Sequence, residues 1–81
     1  MGKTLLNADE IAMMVTAGLR RLAVCTKVTK VTLNRVSDPR AESNWEVDLN
    51  SMDASVSPDC KREAIAIQVQ LRREYDVQWR D

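Results

Sequence analysis

The sequence predicts a small α+β domain in the order α-β-β-α, in which two helices cover an antiparallel β-hairpin. Two stretches, residues 7–23 and 58–75, repeat apolar residues at helical spacing, and each starts with a capping signal. Residues 44–50 alternate apolar and polar positions, which is typical of a strand with one buried face. We expect the 81 residues to form a single domain with a thin core.

The first helix is predicted over residues 7–23, after a flexible terminus at 1–6. Asn7 suits the N-cap, and Glu10 three residues later completes a capping box. One apolar stripe at helical spacing would face the core: Ile11, Met14, Val15, Leu19 and Leu22. Gly18 lies beside this stripe and marks either a close helix crossing or a weak position that the helix tolerates.

Two strands are predicted next, over residues 24–36 and 44–50. The first is rich in β-branched Val and Thr, which favour strands, and its apolar parity changes near Thr29, which predicts a bulge. Setting Leu33 opposite Val47 gives the hairpin one apolar face. Because a two-stranded hairpin is marginal in water, a third strand from the C-terminal segment or from a second copy would extend it.

The second helix is predicted over residues 58–75, with the Ser-Pro pair at 57–58 as its start signal. The stretch 65–71 is ambiguous, because its apolar residues also alternate as they would in a strand. Its length and its helix-forming residues favour the helix. In that helix, Ile65 and Val69 point almost opposite to the buried stripe.

This second apolar face is the candidate interface, and the residues assigned to it are Ile65, Val69, Arg62, Arg72 and Trp79. The alternative is a helix that is buried on two sides, in which case the patch belongs to the core. The same two alternatives apply to the tryptophans, since Trp45 and Trp79 are either core residues or interface anchors.

The composition argues against catalysis. The sequence contains no His, which removes the commonest general base and most zinc sites, and its two cysteines cannot form a four-cysteine metal site. We therefore expect no enzyme activity, no catalytic residue, no cofactor and no metal. Glu46 and Asp48 share a strand face, and we interpret this carboxylate pair as a solvated surface. A carboxylate-based enzyme is the least favoured alternative.

The charge balance argues against nucleic acid. Twelve basic and twelve acidic residues give a net charge of zero, which lacks the electrostatic footprint of a nucleic-acid binder and mildly favours self-association. An alternative function, phosphate contacts to nucleic acid, depends on one basic cluster: Arg20, Arg21, Lys27 and Lys30. We expect acidic residues such as Glu42 to lie close to this cluster and to cancel its field.

No apolar run approaches the roughly 20 residues that span a bilayer, and the first residues contain no signal-peptide core. We therefore expect a cytoplasmic protein without membrane contact, in which Cys25 and Cys60 are reduced thiols buried as small hydrophobic residues. The predicted function is a non-enzymatic protein-interaction module. It would form a homodimer and have a regulatory or inhibitory role on a protein partner.

Overall fold

The chain has an α+β fold with two helices and short strands in its described part. The computed structural model describes residues 3–28, 30–52 and 56–79. The elements are, in chain order, β1 (Thr4–Leu6), α1 (Ala8–Arg20), a 3₁₀ turn (Ala23–Cys25), β2 (Leu33–Arg35), β3 (Trp45–Val47), a second 3₁₀ turn (Leu49–Ser51), α2 (Pro58–Glu74) and β4 (Tyr75–Val77).

The strands form two separate two-stranded sheets among these residues. In the first sheet, β2 and β3 are antiparallel, with Leu33 opposite Val47, as the sequence predicts. In the second sheet, β1 and β4 are parallel, with Leu6 opposite Val77. The hydrogen bond from the Gln78 N–H to the Leu6 carbonyl oxygen, at 2.8 Å, extends this second ladder by one step.

The structure corrects the predicted order, because β1 precedes the first helix. Residues 1–6 are not simply a free terminus: Thr4–Leu6 pair with β4, and residues 1 and 2 lie outside the described ranges. The C-terminal segment does supply a strand, but it extends β1 and not the hairpin. Parallel pairing between segments so far apart leaves no local signal in the sequence.

The predicted strand at 24–36 is also corrected. Its first residues belong to the Ala23–Cys25 turn, and strand structure starts only at Leu33. Val28 and Val31 are both buried although an odd number of positions separates them, which an alternating strand would not allow. They belong to an irregular segment that packs on the core. The bulge predicted at Thr29 lies outside the described residues.

Local capping chemistry starts both helices. The Asn7 side chain accepts a hydrogen bond from the Glu10 N–H at 2.8 Å and donates one to the Glu10 carboxylate at 2.7 Å. Ser57 accepts from the Cys60 N–H at 3.2 Å. α1 ends at Arg20 and not at residue 23, and the ambiguous stretch 65–71 is helical within α2.

The core lies between the two helices and the hairpin. Its largest fully buried side chains, apart from the two cysteines, are Trp45, Ile11, Leu19, Val15, Val31 and Val77. Ile67 and Leu71 on α2 are half-buried against this cluster. A Cβ atom added at Gly18 would lie 3.3 Å from Ile67 Cδ1, so Gly18 marks a close approach of the two helices.

The cysteines are not reduced thiols in the structure: Cys25 and Cys60 form a disulfide, with their Cα atoms 5.1 Å apart. The bond ties the first 3₁₀ turn to the first turn of α2, and both cysteines are buried. The prediction was wrong because the two residues lie 35 positions apart in sequence, and only the packing of α2 beside that turn brings them together.

Candidate functional site

The outward face of α2 exposes two large apolar residues one helical turn apart. Ile65 is 42% exposed and Val69 is 44% exposed. On the opposite side of the same helix, Cys60 and Ala64 are completely buried. α2 is anchored in the core through that side, and close to half of the surface of Ile65 and of Val69 stays open to solvent.

Arginines surround this apolar pair on α2. Arg62 is exposed, and its guanidinium lies 3.7 Å from the Asp59 carboxylate. Arg72 is half-buried, and its Nε is buried without a hydrogen-bond partner among the described residues. Spacing along the helix puts both arginines beside Ile65 and Val69. The α2 face, defined by these four residues, therefore combines an apolar centre with a cationic rim.

The structure does not place the two tryptophans as exposed anchors. Trp45 is fully buried, and its indole N–H donates to the Tyr75 carbonyl oxygen at 3.0 Å. Trp79 is half-buried against the core, and its indole N–H donates to the Asn44 carbonyl oxygen at 2.9 Å. Trp79 shares a small groove with the first residues of α1, including Ala8.

No protein-family model, curated protein or solved structure matches this chain. Neither of the helices in the described ranges is long and apolar enough to cross a membrane.

The four basic residues proposed as phosphate contacts are exposed, around the end of α1 and the segment that follows it. Arg20 and Lys30 line one groove together. Glu42, which we expected to cancel their field, lies elsewhere: its carboxylate is 3.7 Å from Arg73, and its carbonyl oxygen accepts a hydrogen bond from Lys3. Nucleic-acid binding by this cluster stays a prediction.

The predicted carboxylate pair does not lie on one strand, because Glu46 is in β3 and Asp48 follows its end. Asp48 accepts a hydrogen bond from the Asn50 N–H at 3.1 Å and caps the second 3₁₀ turn, whereas Glu46 is exposed. Within the described ranges, no group of three or more His, Cys, Asp or Glu side chains is placed to hold a metal ion.

A polar network joins the two sheets, and the sequence does not predict it. Ser43 donates to the Asp76 carboxylate at 2.7 Å, and the Asn44 side chain bonds the backbone of Val77. The alternation at residues 44–50 predicts that the polar Asn44 faces solvent, but it is half-buried. In the sequence, Tyr75, Val77 and Trp79 alternate with polar residues, which is the one local signal that this segment forms a strand.

Proposed function

We propose that this chain is a non-enzymatic protein-interaction module with a regulatory or inhibitory role on a protein partner, which it binds through the α2 face. The observation that carries the proposal is the exposure of Ile65 and Val69 on a helix whose other side is already anchored in the core. Apolar residues at positions i and i+4 are the spacing with which a helix contacts an apolar groove or another helix.

The cationic rim indicates the chemistry of the partner. Arg62 and Arg72 would face carboxylates around an apolar centre, since opposite charges at an interface rim steer association and exclude wrong partners. We therefore expect an acidic protein surface with an exposed aliphatic or aromatic side chain.

The disulfide indicates in which cellular compartment the protein would bind this partner. Disulfides persist in oxidising compartments and are rare in the cytosol, where thiols are kept reduced. The Cys25–Cys60 bond therefore favours an oxidising compartment over the cytoplasmic location that the sequence predicts.

The proposal is tested by comparing Val69→Asp with Gln70→Asp as baits for protein capture from the native cell. Both substitutions add one negative charge to an exposed position of α2, but Gln70 lies on a different face of the helix. We expect both variants to keep the wild-type circular dichroism. A specific partner should be retained by wild type and Gln70→Asp and lost with Val69→Asp.

Two results would contradict the proposal. The first is a set of captured proteins that does not change with Val69→Asp. The second is unfolding by Val69→Asp but not by Gln70→Asp, because the patch would then belong to the core.

A further inference from the structure

The outer face of α1 forms one side of a groove, and none of the four residues of the α2 face lines it. Its α1 residues are Asp9, Ala12, Met13, Thr16, Ala17 and Arg20, and Lys30 and Val31 form the facing wall. The six α1 residues share one side of the helix at about 100° per residue, whereas Ile11, Val15 and Leu19 point into the core. Met13 at the centre of this stripe is 70% exposed.

The stripe is complementary to itself. An identical helix laid against it in the antiparallel direction places opposite charges at both ends and small or flexible side chains between them. Asp9 then faces Arg20 of the second copy, and Arg20 faces the second Asp9. The same alignment sets Ala12 opposite Ala17, and Met13 opposite Thr16. A surface that complements itself in this way is what an isologous two-fold interface requires.

The two charged ends have no ion-pair partner among the residues that the structure describes. Neither Asp9 nor Arg20 makes an ion pair with a described residue, and both side chains are exposed. They stand about 16 Å apart along the helix, too far to pair with each other. Each can therefore gain an opposite charge from a second copy without breaking an existing pair.

The middle of the stripe suits close contact between helices. Ala12 and Ala17 are small enough to let two helix axes approach to about 8 Å. The Thr16 hydroxyl already donates to the Ala12 carbonyl oxygen at 2.8 Å, so its burial would leave no unpaired donor. Met13 is flexible and fills irregular gaps. The zero net charge of the chain adds no general repulsion between copies.

We propose that α1 is the interface of a homodimer, in which two copies of the helix pack antiparallel about a two-fold axis and form reciprocal Asp9–Arg20 ion pairs. The occupant of the groove is a second copy of this chain. The α2 face lies on the other helix and stays available for a different partner.

The test is sedimentation velocity over about two orders of magnitude in protein concentration. The wild type should show a monomer–dimer equilibrium. Asp9→Arg alone and Arg20→Asp alone should each raise the dimer dissociation constant at least about tenfold, since two attractive pairs become two repulsive ones. The double variant Asp9→Arg/Arg20→Asp restores opposite charges in the antiparallel arrangement and should dimerise like the wild type.

Two controls keep the result specific. Asp59→Arg reverses a charge at the equivalent second position of α2, with the same loss of helix-dipole stabilisation, and should leave the dimer unchanged. Val69→Asp should also leave it unchanged, which separates this proposal from binding at the α2 face.

Three results would overturn the dimer interface. They are a wild type that stays monomeric throughout the range, single variants that dimerise like the wild type, and a double variant that fails to recover although it is folded by circular dichroism. The last would show that the two charges do not face each other.

Discussion

The Asn44 side-chain amide bonds both backbone polar groups of Val77. Its Nδ2 donates to the Val77 carbonyl oxygen at 2.8 Å, and the Val77 N–H donates to its Oδ1 at 2.9 Å. On the other edge of β4, the ladder with β1 supplies the hydrogen bonds. Asn44 therefore takes the place that a third strand would have beside β4, and it joins the two sheets.

We expect Asn44→Ala to lower the free energy of unfolding by about 2–4 kcal/mol, because it leaves a buried N–H and a buried carbonyl without partners. Urea denaturation measures this change. Asn34→Ala, at an exposed position of β2, is the matched control and should change stability by less than about 0.5 kcal/mol. Equal effects of the two variants would mean that the Asn44–Val77 pairing contributes nothing to stability.

Reduction of the Cys25–Cys60 disulfide should destabilise the fold by about 4 kcal/mol, because the bond closes a long loop and restricts the unfolded chain. For a domain of this size that is a large part of the total stability. Thermal unfolding with and without a phosphine reductant measures the loss. The double variant Cys25→Ala/Cys60→Ala should melt close to the reduced wild type and should not respond to reductant. Wild-type melting that is unchanged after complete reduction would contradict this prediction.

Gly18 and Ile67 should be energetically coupled. Ala at position 18 improves helix propensity by about 1 kcal/mol, but its Cβ would crowd Ile67 Cδ1. We expect Gly18→Ala to be nearly neutral in the wild type and stabilising by about 1 kcal/mol in an Ile67→Val background, which removes Cδ1. A double-mutant cycle in urea gives the coupling energy. Simple additivity of the two changes would show that the helices do not meet at this point.

β1 can be tested with two adjacent leucines. Leu6 is half-buried against the core, whereas Leu5 is 58% exposed. We expect Leu6→Ser to cost about 1–2 kcal/mol through lost apolar burial and Leu5→Ser less than about 0.5 kcal/mol. Chemical denaturation of the two variants compares them directly. Equal, small effects would support the flexible terminus that the sequence predicts.

The features that could be predicted are those that depend on neighbouring residues. Asn7 and Ser57 cap the helices through hydrogen bonds that span three positions, and such spacing is visible in the sequence. The pairing of Leu33 with Val47 follows from the pleat, since a shift by one residue would turn the apolar side chains to the other face. Helical periodicity likewise predicts that Ile65 and Val69 point away from the core.

The features that could not be predicted depend on contacts between distant segments. Nothing near Cys25 in sequence shows that α2 brings Cys60 beside it. In an alternating strand, an Asn next to the buried Trp45 is expected to face solvent. Asn44 instead has its hydrogen-bond partners on β4. The same holds for the groove on α1, because Lys30 and Val31 reach it from another segment.

The parallel pairing of β1 with β4 determines when the fold can be completed. These strands lie almost the whole described length of the chain apart, and contacts of such long sequence separation slow folding because the closure entropy must be overcome first. During synthesis, β1 emerges early and has no strand to pair with until β4 has been made. The final sheet therefore closes late, and Leu6 stays without its strand partner until β4 is available.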